Sequence, residues 1–338
     1  MKSILVEAPR RMSIVDLPIP DPTPGEVRIR VRHAGICGSD LHIFHGNHPY
    51  VQFPRVIGHE FAGHIDAVGD GVDPALEGTR VAVNPVVNCG QCYPCRAGRP
   101  NVCLNLQVVG VHREGGFAEY CCVPAQCAVP VPDEVDDRAA ATVEPFSIAA
   151  NMLSRTEVMA EDTALVYGAG PIGMTVIQAL SGVHGLDRLI VADRIDSRLD
   201  WARTSGASIV VNTTRQSLAG TLAEAGLSPS LIIDAACHPS IVEEALDLAS
   251  PAARIGLMGF SSEASAIPQR KLNAKELTLY ASRLNNRKFP EVIGWMSHKQ
   301  IEPERFISHS FPATAVHEAF ALLEGHPIAC CKVLLDFN

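Results

Sequence analysis

Over the first 140 or so residues, apolar positions come in short runs: 4–6, 12–15, 27–31 and 80–83. Clusters such as Pro20-Asp21-Pro22-Thr23-Pro24-Gly25 separate them. Short runs bounded by turn residues predict strands, and a succession of them predicts a compact β-rich barrel or sandwich. The texture changes near residue 145. From there to about 283, apolar runs at 164–167, 189–192, 208–211, 231–234, 254–258 and 277–280 alternate with helical patterns. Strand followed by helix, repeated, predicts a parallel, doubly wound sheet. The last segment predicts helices over 291–296 and 315–323 and a closing strand over 331–335. The class expected is α/β, a β-rich part plus a doubly wound part.

Length and composition agree with two domains. The chain has 338 residues, 47% hydrophobic and 19% charged, enough for large cores and too apolar for wholesale disorder. A net charge of −9 argues against nucleic acid or an anionic membrane surface as partner. The opening Met1-Lys2-Ser3-Ile4-Leu5-Val6-Glu7 is not a signal peptide. The longest apolar run, 139–153, is broken by Glu144 and Pro145 and is no membrane span. A cytoplasmic location is expected, and with it reduced thiols for the 11 cysteines. Cys121, Cys122, Cys127, Cys237, Cys330 and Cys331 read as small buried hydrophobes.

Three groups of residues carry chemistry. The first is Gly168-Ala169-Gly170-Pro171-Ile172-Gly173, a G-x-G-x-x-G between a predicted strand and helix. Gly168 makes the turn, Gly170 admits a pyrophosphate and Gly173 packs closely on the strand, with the phosphates at a helix N-terminus. Asp193 ends the next strand, 20 residues beyond Gly173. Its carboxylate suits a ribose and repels a 2′-phosphate, which favours NAD. Arg194, beside it, is suited to a phosphate and keeps NADP open. Arg198 is placed to stack near an adenine.

The second group is Cys89-x2-Cys92-x2-Cys95-x7-Cys103, in a lobe spanning about 86–106. Four thiolates fit tetrahedral zinc and close its shell, so this zinc is expected to be structural; the long last gap argues against an iron–sulfur cluster. The third group is spread along the chain. Gly35-Ile36-Cys37-Gly38-Ser39-Asp40-Leu41-His42 offers a thiolate, Gly58-His59-Glu60 an imidazole and a carboxylate, and Val143-Glu144-Pro145 a second carboxylate. Each is ordinary alone. Together they suit a mixed-ligand zinc with an exchangeable position, as catalysis requires.

In this order, these motifs resemble the zinc-containing medium-chain dehydrogenases, a family that includes sorbitol, threonine and galactitol-phosphate dehydrogenases. The resemblance covers essentially the whole chain. Asn84-Pro85-Val86-Val87-Asn88-Cys89, Val109–Phe117, Val143-Glu144-Pro145-Phe146, Asp234–Pro239 and Met258-Gly259-Phe260-Ser261-Ser262 look more closely like the starvation-sensing RspB subgroup, linked to hexonate oxidation. The resemblance implies a GroES-like catalytic domain over 1–144, a Rossmann domain over 145–283, and a return to the first over 284–338. It implies one catalytic and one structural zinc, and a homodimer or homotetramer. Cys37, His59 and Glu60 would be zinc ligands. Glu144 would be a fourth ligand or would hold the metal-bound water. Ser39 and His42 match the family's proton-relay positions.

The expected reaction is oxidation of a secondary alcohol, with hydride passing to the nicotinamide. L-Gulonate, L-idonate and L-galactonate are the substrates implied; a polyol or L-threonine is the alternative. Arg283 is at a position similar to a substrate-contacting arginine of sorbitol dehydrogenase, and its guanidinium is suited to a carboxylate. His45, His48 and Arg55 are candidates for the mouth of the substrate cleft. A non-catalytic NAD-binding regulator is the rival of a different class, against which the full ligand and relay set argues.

Overall fold

A computed structural model describes every residue except Ser261, Pro327, Ala329 and Asn338. The chain forms two compact units. One comprises Met1–Ser147, Leu284–His298 and Pro303–Asn338, the other Ile148–Arg283 and Lys299–Glu302. Among the described residues, no helix is long and apolar enough to cross a membrane.

The first unit is organised by the strand Glu26–Ile36. Val27, Ile29 and Val31 are fully buried while Arg28 and Arg30 point away, the alternation of a half-buried strand. The alternation ends where Ala34, Gly35 and Ile36 are all covered, so the strand runs five residues past the predicted 27–31. Glu60–Val68, Tyr120–Pro124 and Lys332–Asp336 pair with it, all antiparallel. Arg80–Val83 and Ala128–Pro130 extend the sheet beyond Glu60–Val68, and Ile307–Pro312 lies parallel to Lys332–Asp336. Phe61, Phe117, Val333 and Leu335 close the core. Two registers matter for the site: Gly35 faces Glu60, and Val333 faces Ile36. Val86–Val87 and Gln107–Val108 form a small ladder that closes the base of the four-cysteine lobe.

The second unit is a six-stranded sheet with every pairing parallel. From one edge to the other it runs Ile209–Asn212, Leu189–Asp193, Ala164–Tyr167, Leu231–Asp234, Arg254–Leu257 and Thr278–Ala281. In chain order this is 3-2-1-4-5-6, the doubly wound arrangement, whose ligand crevice lies at the C-terminal ends of the strands where the order reverses. That point is between Ala164–Tyr167 and Leu231–Asp234.

Two local features add to the sequence reading and have local causes. The apolar run broken by Glu144-Pro145 is a helix, Val143–Thr156. Pro145 sits in its first turn, where the missing N–H costs nothing. The helix Pro171–Gln178 continues as one π-helical turn, Ala179–Val183, around Gly182. A Cβ on Gly182 would fall 1.9 Å from the carbonyl oxygen of Gln300, so the widened turn fits a backbone-to-backbone approach.

Arg254 ties this unit together. It is buried, pairs with the buried Asp162, and donates to the carbonyl oxygen of Thr156 at 3.0 Å and to that of Glu157. Asp162 also accepts from Ser230 at 2.6 Å. Replacing Arg254 with Leu would leave Asp162 buried without its cation. The expected cost is about 3 kcal/mol, seen as a lower thermal unfolding midpoint; an unchanged midpoint would contradict this account of the unit.

Candidate catalytic and metal centres

The end of the strand Glu26–Ile36, the start of the helix Gly38–Phe44 and the start of the strand Glu60–Val68 converge. Donor atoms of Cys37, His59 and Glu60 lie within 4.8 Å of one another. His59 and Glu60 are buried and Cys37 is half-buried. Asp40, completely buried, organises the group. One carboxylate oxygen accepts the Cys37 backbone N–H at 2.8 Å, and the other faces His59 Nδ1 at 3.7 Å. With Nδ1 turned to a carboxylate, Nε2 is the nitrogen left to meet a metal. The Ser39 hydroxyl is 3.5 Å from that Nε2.

Glu60 is 1% exposed, and both its oxygens accept from Lys332 Nζ, at 2.8 and 2.6 Å. Burial pushes the Lys332 ammonium down, but Glu60 and Cys37 outweigh it and hold it above the ordinary lysine value. Burial also opposes charge on His59, and Asp40 and Cys37 raise it well above the usual imidazole range. Glu144, in the first turn of Val143–Thr156, is 5% exposed. Burial pushes its carboxyl up to about 7, and Glu60 adds repulsion that His59 and Lys332 oppose. Buried carboxylates, a thiol and an imidazole thus stand together beside one buried ammonium, a donor set that suits a cation. Sulfur, imidazole and carboxylate donors within a few ångströms fit zinc.

His42 lies on the exposed side of its helix, while Ser39 reaches the cluster. His45 pairs with Glu324 at 2.6 Å and Arg55 with Glu114 at 2.6 Å. His48 packs edge-on against Tyr50.

Cys89, Cys92, Cys95 and Cys103 form a second cluster. Their sulfurs are 3.4 Å (Cys92 to Cys95), 3.6 Å (Cys92 to Cys103) and 3.5 Å (Cys103 to Cys89) apart. Sulfurs about 2.3 Å from a common tetrahedral centre have such separations, so the four residues fit a closed zinc shell. Of the other six cysteines, Cys121, Cys127, Cys330 and Cys331 are buried as expected, whereas Cys122 and Cys237 are only half-buried.

In the second unit, the G-x-G-x-x-G joins Ala164–Tyr167 to Pro171–Gln178, with Pro171 in the first turn. A Cβ at Gly173 would fall 1.8 Å from the Gly168 carbonyl oxygen, so only glycine permits this closeness. Ile172 is half-buried beside it. Asp193 Oδ2 accepts from the Ala169 N–H at 2.7 Å, and Oδ1 from Arg194 and Ile195 at 2.7 and 2.9 Å. The acid therefore fastens the glycine loop to the neighbouring strand end. Arg198 lies over the loop at Gly170, Arg194 is exposed, and Arg283 sits 5.5 Å over the ring of Phe260.

Residues 23–133 match the alcohol dehydrogenase GroES-like domain, and residues 171–298 match the zinc-binding dehydrogenase domain. The starvation-sensing protein RspB of Escherichia coli K12 is 54% identical over 338 residues, covering 100% of both chains. The chain belongs to the zinc-type medium-chain alcohol dehydrogenase family. The crystal structure of the rspB dehydrogenase from E. coli CFT073, complexed with NADH, superposes with a TM-score of 0.97 at 54% identity over 99% of both chains. The L-galactonate-5-dehydrogenase of E. coli K12 is 30% identical, covering 95% of this chain and 94% of the relative. The fold is thus the family's GroES-like and Rossmann pair, and the protein is an alcohol dehydrogenase-type oxidoreductase. Ser261, in one of the motifs of the RspB subgroup, lies outside the described residues.

Two residues that pack against the Cys37–His59–Glu60 cluster escaped the sequence reading as site residues, Asp40 and Lys332. Both left a signal. Asp40 stands three residues beyond Cys37 at a helix start, where a carboxylate turns back to the preceding backbone. Lys332 opens a strand whose next three residues are apolar and buried, and a lysine buried there requires a carboxylate. The two donor clusters predict two zinc equivalents per chain. Cys95→Ser is expected to remove one and lower the unfolding midpoint while the other stays, as elemental analysis and thermal melting would show. Full metal content in that variant would contradict the lobe's assignment.

Proposed function

We propose that the protein oxidises a secondary alcohol of a sugar acid, a hexonate such as L-gulonate, L-idonate or L-galactonate, to the keto acid, with NAD taking the hydride. The convergence of Cys37, His59 and Glu60 donors carries the redox half of this reading. The similarity to L-galactonate-5-dehydrogenase supports the acid, and the NADH-bound relative supports NAD.

In this reading Cys37, His59 and Glu60 hold the catalytic zinc, with Glu144 as the further carboxylate. Cys89, Cys92, Cys95 and Cys103 hold the structural one. When bound, zinc supplies Lewis acidity to the substrate hydroxyl, and the nicotinamide supplies the hydride acceptor. Asp40 fixes the loop of Cys37 and the ring of His59. The Ser39 hydroxyl, next to His59, would take up the proton of the substrate hydroxyl as it gives up its own, and the exposed His42 would be the relay's outlet to solvent. Gly168, Gly170, Pro171, Ile172 and Gly173 cradle the pyrophosphate. Asp193 Oδ2 accepts one N–H and keeps a lone pair for a ribose hydroxyl, while a 2′-phosphate there would meet its charge. Arg194 and Arg198 flank the adenosine. Arg283 binds the substrate carboxylate as a bidentate donor.

The first test follows NADH formation at 340 nm with hexonates, hexitols and L-threonine, with NAD and NADP in parallel. One hexonate with NAD is expected to give the highest kcat/KM. Turnover only with hexitols or L-threonine would overturn the acid assignment, and none with any alcohol would favour a regulator. Cys37→Ser is expected to lower kcat/KM by about 10³-fold, several kcal/mol of barrier, with NADH affinity unchanged. Arg283→Ala is expected to raise KM about tenfold for the hexonate and not for the matching hexitol; equal effects on both would remove it from carboxylate binding.

A further inference from the structure

In the second unit Cys237 stands with φ at +62°, in the left-handed region that favours glycine. A side chain persists there only where the surroundings hold it. Asp234, at the end of the strand Leu231–Asp234, does so. It is 4% exposed, and one carboxylate oxygen accepts the N–H of Ala236 at 3.1 Å and that of Cys237 at 2.8 Å. Burial raises this carboxyl above the ordinary aspartate value, and the N–H groups of Cys237 and Ala236 oppose the rise. The acid and the turn therefore fix each other.

The turn lies against the glycine loop. Asp234 is level with Tyr167 in the parallel ladder, and the Tyr167 carbonyl oxygen accepts from Ala235 at 2.9 Å. A Cβ at Gly168 would fall 3.0 Å from the nitrogen of Ala236, and a Cβ at Gly173 would fall 3.7 Å from that of Ala235. On its far side the turn meets Gly259, where a Cβ would fall 2.9 Å from the Cys237 Cβ. Residues 235–237 thus form one wall of the crevice where the strand order reverses. Asp193 fastens the glycine loop from the strand on the other side. The two acids stand at the ends of the two strands that flank Ala164–Tyr167.

We propose that Asp234 and Cys237 are positioning residues for the cofactor: the carboxylate holds Cys237 left-handed, and the turn so held keeps the wall beside Gly168 in the shape that receives the dinucleotide. This rests on the reading of the glycine loop as the NAD site. Without the acceptor, the N–H groups of Ala236 and Cys237 lose their partner, and Cys237 relaxes toward negative φ. Cofactor binding must then order the turn, and affinity falls by the fraction of molecules that already hold it. Glycine at 237 adopts the same conformation without strain, so it lessens the need for the carboxylate.

The experiment measures NADH affinity of the full-length zinc-loaded protein by the fluorescence of bound NADH, with thermal unfolding alongside. Asp234→Ala is expected to weaken NADH about tenfold. Asp234→Asn keeps an acceptor oxygen and is expected to stay within about twofold of the wild type. Adding Cys237→Gly to Asp234→Ala is expected to restore most of the lost affinity. If Asp234→Ala does not fold, Cys237→Val carries the test: its branched side chain resists the left-handed region and is expected to weaken NADH with Asp234 intact. A merely structural acid would lower the unfolding midpoint without moving NADH affinity. Wild-type affinity in the folded Asp234→Ala and Cys237→Val variants, an equal loss in Asp234→Asn, or no recovery with Cys237→Gly would overturn the proposal. A wild-type chain that binds no NADH would instead overturn the cofactor reading beneath it.

Discussion

Buried charge is the constraint on which the first unit turns. Asp40, Glu60 and Glu144 are buried around His59, with Lys332 as the one buried ammonium among them. Isolated carboxylates in such a setting would take up protons. The fold instead commits each to a partner or leaves it poised. Asp40 is fastened by the Cys37 N–H and turned to His59, and Glu60 is held by Lys332. Glu144, with burial dominant, rises to about 7. A group of acids this close to a thiol and an imidazole is the electrostatic template of a cation site.

The architecture follows from that constraint. The strand Glu26–Ile36 runs into the cluster with both faces covered, and its end delivers Cys37. Its neighbours deliver the other charges in register: Glu60 across from Gly35, and Lys332 next to the residue across from Ile36. Three distant stretches of sequence thus meet at one strand end through backbone pairing. In the other unit the same economy operates with an acid and backbone donors. Asp193 accepts three N–H groups and so holds the glycine loop in shape before any ribose arrives.

Much of this was legible in the sequence, for physical reasons. The glycine loop is local, and its spacing answers to one strand–turn–helix. The four-cysteine lobe is nearly local. The buried parallel strands announce themselves because both faces are covered, and the run at 254–258 differs from Arg254–Leu257 only at its end. The roles of Asp40 and Lys332 were harder to see. Nothing near residue 332 hints that it meets residue 60, since the contact exists only through the strand order of the sheet. The inward reach of Glu26–Ile36 was also hidden, because alternation stops where both faces become core. The partners of His45 and Arg55 were hidden in the same way, since Glu324 and Glu114 are far along the chain.

The position of the metal decides most directly between these possibilities. Crystals of the zinc-loaded protein measured on either side of the zinc absorption edge would locate it by anomalous scattering. One peak is expected within the sulfurs of Cys89, Cys92, Cys95 and Cys103, and a second bounded by Cys37, His59 and the carboxylates of Glu60 and Glu144. A peak in the cysteine lobe with none at the second position would contradict that expectation.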